Sequence, residues 1–123
     1  MTQVSRELCP DVEFGAGCDY ADVKSTGVAF LYELKTCTLD FKDARKASSQ
    51  LDRTKDDLAR EGIVDSNCGF ELFILHEKRK GCSVDARAIA WFQRTGVRLA
   101  DANSDAARRV TSRLKLLQAR ARR

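Results

Sequence analysis

Tyr20-Ala21-Asp22-Val23, the segment Lys24-Ser25-Thr26-Gly27 and the run Val28-Ala29-Phe30-Leu31-Tyr32-Glu33-Leu34-Lys35-Thr36 read as a β-hairpin whose second arm is a central strand. The polar, Gly-containing segment is turn chemistry that lets the first arm return antiparallel. Side chains alternate along a strand, so Ala29, Leu31, Glu33 and Lys35 share one face while Phe30, Tyr32 and Leu34 share the other. A strand apolar on both faces is covered on both sides. Glu33 and Lys35 interrupt this run near its end. A carboxylate and an ammonium buried there cost several kcal/mol unless they are paired or bind a metal. The fold-back is expected to carry Asp22 to the same end of the sheet, so that two carboxyls and a lysine converge. Asp19 is the rival for the first carboxylate, and Asp11, in Pro10-Asp11, is a more distant one. Asp22 is preferred because Ala21 and Val23 flank it as strand residues would. Asp19, beside Gly17 and Cys18, reads as turn.

Outward from the hairpin, Thr2 to Leu8 suggests a short helix that stops before Pro10. Asp11-Val12-Glu13-Phe14 reads as a first strand, with Gly15-Ala16-Gly17 as its turn. From Asp40 to Arg60 the period changes. Phe41, Ala44, Ala47 (or Ser48), Leu51 and Leu58 recur at helical spacing, with Asp40 as N-cap and Gly62 as the stop. Cys68 to His76 is the next buried strand. Ser83 is expected to cap a helix reaching Arg94, Gly96 ends it, and Val97 to Ala100 is a short last strand. Asn103 or Ser104 caps a final helix at about 103–123, with Val110, Leu114 and Leu117 as its apolar seam. The order α-β-β-β-α-β-α-β-α predicts an α/β fold with a mixed central sheet of four to five strands flanked by helices. At 123 residues it is read as one domain, 1–123.

A chain that is 43% hydrophobic and 33% charged fits a globular protein with a well-charged surface. No apolar run approaches the ~20 residues a membrane helix needs, so no membrane partner is expected. Met1 to Glu7 lacks the apolar core of a signal peptide. A cytoplasmic site of action is the resulting expectation, reached by delivery if the chain is a detached effector domain. The five cysteines follow no zinc-site spacing, and His76 is the only histidine, so reduced thiols are expected. Arg108 to Arg123 holds seven basic residues and no acidic one, while the chain as a whole is +4. A basic tail on a mildly acidic body suggests contact with a polyanion.

Asp22, Glu33 and Lys35 in this arrangement resemble the PD-(D/E)XK nuclease superfamily, in which an acidic residue on one strand is followed by Glu-x-Lys on the next. The likeness covers roughly residues 5 to 77. It implies a restriction-endonuclease-like core (αβββαβ) and Mg²⁺ (or Mn²⁺) as cofactor, held by Asp22, Glu33 and the carbonyl of Leu34. Lys35 would activate water. Gln50, on the helix after Glu-x-Lys, would help position it, and Glu7 would match an acidic residue on a preceding helix that faces the metal. The chemistry fits, because hard oxygen ligands suit Mg²⁺ and an ammonium adds positive charge where negative charge develops. The implied function is a metal-dependent nuclease acting on DNA or RNA, with Lys46, Arg108, Arg109, Arg113 and Lys115 on phosphates. A toxin-type effector nuclease with an inhibitor or immunity protein, a homodimer, and a non-catalytic nucleic-acid-binding or protein-interaction module of the same fold are its alternatives.

Overall fold

The computed structural model describes residues 5–122. Strand β1 (Ser5–Leu8) is followed by the short helix α1 (Pro10–Glu13), strands β2 (Tyr20–Lys24) and β3 (Val28–Thr36), and helix α2 (Phe41–Arg60). Strand β4 (Gly69–Glu77), helix α3 (Ala86–Thr95), strand β5 (Val97–Asp101) and helix α4 (Asp105–Ala121) complete the chain. The five strands form one mixed sheet in the order β1-β2-β3-β4-β5. The pairs β1–β2 and β2–β3 are antiparallel, and the pairs β3–β4 and β4–β5 are parallel. This is the expected α/β class with a mixed sheet of five strands.

Two layers of helix cover the two faces. Against α2 and α3 the sheet buries Ala21, Ala29, Leu31, Leu72, Ile74 and Val97, which meet Leu51, Leu58 and Phe92. Against α4 it buries Tyr20 and Leu75, which meet Ala107 and Leu114, with Tyr32, Leu34, Val110 and Leu117 packed around them. Asp40 caps α2 through a reciprocal capping box with Asp43. Gly96 ends α3 in the left-handed conformation at φ 73°, which glycine adopts without a Cβ penalty.

The first two elements are exchanged relative to the sequence reading. Ser5 to Leu8 is a strand, not a helix, and pairs with β2 so that Glu7 faces Asp22 and Leu8 faces Ala21. Thr2 to Val4 of that expected helix lie outside the described residues. Asp11 to Glu13 is helix, not strand. Pro10 starts it rather than stopping the element before it, because a proline at the first helical position loses no hydrogen bond and has its φ preset. Asp11 and Glu13 in the first turn suit the positive end of the helix. The cap of α3 is Asp85 rather than Ser83, whose carbonyl accepts from the Leu39 amide.

The turn before β2 is held by one close approach. Gly17 has φ +130°, and a Cβ there would stand 2.8 Å from Thr54 Oγ1 and 3.2 Å from Pro10 Cβ. Thr54 is fully buried on α2, accepts from the Cys18 amide at 2.8 Å and donates to the Gln50 carbonyl at 2.9 Å. Gly17→Ala is therefore expected to cost about 2–3 kcal/mol, from backbone strain and a clash against a fixed hydroxyl. Urea unfolding reads that loss as a shifted midpoint.

Candidate active site

The site lies where β2 begins and β3 ends. Tyr20 pairs with Tyr32, so continuing the antiparallel register by one step sets Asp19 against Glu33. Asp19 Oδ2 accepts the Leu34 amide at 2.8 Å, filling the place of a missing strand partner. Glu33 is only 3% exposed and hydrogen-bonds to the Asp19 carboxyl as well as to the Asp19 main chain. Lys35 Nζ stands 3.9 Å from Glu33 Oε2. Burial, then the bond to Asp19 and its charge, push the Glu33 carboxyl up to about 9 against the opposing pull of Lys35. Glu33 therefore keeps its proton at neutral pH and can donate it to the Asp19 carboxyl.

Helix α4 closes the site from the other side. Gln118 Nε2 donates to Asp19 Oδ1 at 2.9 Å and reaches Asp11 Oδ2 at 3.5 Å, while Arg122 Nη2 donates to Asp11 Oδ2 at 2.9 Å. Burial, then the charge of Asp19, raise the Asp11 carboxyl above its ordinary range, and Arg122 opposes them. Asp11 Oδ1 and Gln50 Oε1 are both buried without a hydrogen-bond partner. They line a common cavity of about 560 Å³ with Gly17, Lys46, Ser49 and Arg53. Asp11, Asp19 and Glu33 thus form a chain of carboxyls. Among the described residues no three His, Cys, Asp or Glu side chains meet as a ready-made metal cluster.

Asp22 is not part of this site. It pairs with Phe30, and its side chain leaves the sheet on the α4 face, opposite to Glu33. Its carboxylate forms an ion pair with Lys24 at 2.9 Å. The expected convergence of Asp22 with Glu33 and Lys35 is corrected to Asp19. The signal lay in the hairpin. A three-residue loop of Ser25-Thr26-Gly27 makes Lys24 face Val28, which by alternation puts Asp22 opposite Phe30 and Asp19 opposite Glu33.

Glu7 also lies on the α4 face, on a strand rather than on a preceding helix. It accepts the Tyr20 hydroxyl at 2.6 Å and both Nε and Nη2 of Arg113, at 2.8 and 2.7 Å. The Arg113 guanidinium is the main cause that holds its carboxyl down at about 2. The acidic side chain that joins the Asp19 cluster from an N-terminal helix is Asp11, on α1. Lys115 pairs with Glu77, and Arg108 pairs with Asp105 at 3.6 Å. Arg109 lines a groove of about 610 Å³ with Tyr20, Asp22, Phe30 and Tyr32. Along the floor of that face Tyr20 stacks on Tyr32 at 5.6 Å, and Tyr32 on Phe73 at 4.9 Å.

Among the described residues no helix is long and apolar enough to cross a membrane. No family model matches the chain, and no curated protein matches it. Among solved structures it is similar to a repair endonuclease from Pyrococcus abyssi, at 13% identity and a TM-score of 0.47, over 67% of this chain and 30% of that one. The chain therefore spans less than a third of that protein's length.

Proposed function

We propose that the chain is a metal-dependent phosphodiesterase acting on nucleic acid, with Asp19, Glu33 and Lys35 at its centre. One observation carries the reading: two hydrogen-bonded carboxyls, one of them buried, stand at the end of a central strand with a lysine 3.9 Å away. A buried acid pair is costly on its own and suited to a divalent cation. Asp19 and Glu33 would hold that ion, Mg²⁺ or Mn²⁺, together with the carbonyl of Leu34. The buried, unpartnered oxygens of Asp11 and Gln50 fit the same use, as further acceptors for an ion or for its waters. A bound ion supplies Lewis acidity and neutralises charge beside the scissile phosphate.

The chain's own groups do the rest. The Lys35 ammonium stabilises negative charge as it develops on the phosphate. Gln50 Oε1 accepts a hydrogen bond from the attacking water and fixes its direction. Lys46 and Arg53, in the cavity beside Gln50, contact flanking phosphates, which positions the strand without reading sequence. Gln118 and Arg122, bonded to Asp19 and Asp11, would orient those carboxyls beside the ion.

A binding module is the second reading, favoured by the stacked, half-buried rings of Phe30, Tyr32 and Phe73 and by the arginines on the opposite face. Bases stack on such platforms with little sequence preference. In that reading Arg109 and Arg113 touch phosphate. Truncation of Arg108 to Arg123 is not a clean test, because α4 supplies half of the second core. Arg109→Glu is the sharper one. It is expected to weaken binding of single-stranded DNA several-fold and to lower the slope of log affinity against log salt by about one.

The deciding experiment is a panel of plasmid DNA, single-stranded DNA and tRNA, incubated with the protein in Mg²⁺, Mn²⁺ or EDTA. Cleavage that needs metal supports the enzyme. Tight binding without cleavage under any condition leaves the binding module. The toxin-type form of the enzyme reading adds an inhibitor protein, and cells expressing the chain would then survive only when it is co-expressed.

A further inference from the structure

Cys37 and Cys82 come from segments 45 residues apart, yet their thiols hydrogen-bond to each other. The chain path explains the meeting. Leu39 and Val84 form a parallel bridge, reinforced by the Leu39 amide to the Ser83 carbonyl and the Asp85 amide to the Leu39 carbonyl, each at 2.9 Å. Two residues back along both segments lie Cys37 and Cys82, so the bridge brings them side by side. A disulfide joins thiols on backbone segments held side by side, with Cα atoms about 4.4–6.8 Å apart.

The two thiols differ in kind. Cys37 is exposed, and Cys82 is buried. Cys37 is also the one non-glycine residue with positive φ among the described residues, at 66°. Its carbonyl is held by His76 Nε2 and its amide by the Glu77 carbonyl at 3.4 Å. The bond from Cys82, the Thr38 amide and the nearby Arg79 lower the Cys37 thiol below its ordinary value, while Cys82 is raised. A low-lying, exposed thiol next to a second thiol is the arrangement that oxidises selectively. The remaining cysteines differ: burial raises Cys9, Cys18 and Cys68.

We propose that Cys37 and Cys82 are a modification site, a dithiol that a hydroperoxide closes into a reversible disulfide two residues beyond Lys35. The Cys37 thiolate attacks the peroxide, breaking its O–O bond and becoming a sulfenic acid as one water (or alcohol) leaves. The Cys82 thiol then attacks that sulfur, forming the S–S bond and releasing a second water. The peroxide is reduced by two electrons and the two thiols are oxidised by two. The inference does not depend on the proposed cleavage activity.

The test treats the intact reduced protein with hydrogen peroxide and reads thiols by mass spectrometry after alkylation. The expected product has exactly one new cross-link, joining the peptides that contain Cys37 and Cys82, and dithiothreitol reverses it. Cys82→Ser is expected to trap Cys37 as a sulfenic acid captured by dimedone, and Cys37→Ser to give neither product. Before oxidation, Cys37 should alkylate at least ~10-fold faster than Cys9 or Cys18. Both thiols remaining alkylatable at peroxide doses that oxidise free cysteine would overturn the proposal. So would a cross-link between other cysteines, or overoxidation of Cys37 with Cys82 still present.

Discussion

Asp19→Asn lowers metal-dependent cleavage by about 10²–10³-fold, whereas Asp22→Asn leaves the rate within about threefold. The two residues are three apart, and sequence alone favours Asp22 for the role. Asp19 bonds to Glu33 and to the Leu34 amide, on the chain that leads to Lys35. Asp22 sits across the sheet, paired with Lys24. Asparagine keeps the shape and removes the charge, so folding should persist in both variants, as checked by circular dichroism. Lys35→Ala is expected to fall with Asp19→Asn, because its ammonium is the charge that opposes the raised Glu33 carboxyl. Initial rates on a labelled substrate at saturating Mn²⁺ decide the matter. Equal losses in both aspartate variants, or a loss in Asp22→Asn alone, would move the site to the other face.

Glu33→Gln abolishes cleavage and at the same time stabilises the metal-free protein at pH 8. The folded Glu33 carboxyl is pushed up to about 9 from an ordinary 4.5, chiefly by burial and then by Asp19. Below pH 4.5 both folded and unfolded chains keep the proton, and the favourable contribution is complete. As pH climbs from 4.5 toward 9 the unfolded chain gives up the proton and the folded chain retains it, so stability drains through that window. Glutamine carries no such proton. Between pH 5 and pH 8 the unmodified protein should therefore lose about 4 kcal/mol more than Glu33→Gln, measured by urea unfolding in EDTA. A variant that loses activity while gaining stability marks a residue kept for function. Parallel pH curves for the two proteins would mean that Glu33 is ionised in the fold.

The sheet was legible where pattern and burial agree. Ala29 and Leu31 alternate with Phe30 and Tyr32 because β3 is covered by α2 and α3 on one face and by α4 on the other, and the helical spacing of Ala44, Leu51 and Leu58 follows from the same burial. The N-terminal elements were not legible because Val12 and Phe14 alternate within a segment too short for any period to count, and Pro10 serves equally as a stop or a start. The site was half legible. Glu33 and Lys35 stand out because two charges interrupt an apolar strand. Asp19 does not, since it lies just outside β2 and acts through a register that the turn sets. Asp11 was displaced for a related reason: its partners Gln118 and Arg122 are about a hundred residues away in sequence, and no local pattern links them. The pairing of Arg113 with Glu7 and of Lys115 with Glu77 was likewise invisible in a tail that reads as uniformly basic.

Calorimetric titration of the metal-free protein with Mn²⁺ at pH 7.5, repeated in buffers of different ionisation heat, bears most directly on the carboxyl pair. One ion should bind per chain and displace about one proton, the one that Glu33 carries. Asp22→Asn should bind alike, and Asp19→Asn and Glu33→Gln should not bind. No saturable uptake by the unmodified protein, or uptake that survives in Glu33→Gln with the same proton release, would contradict the assignment.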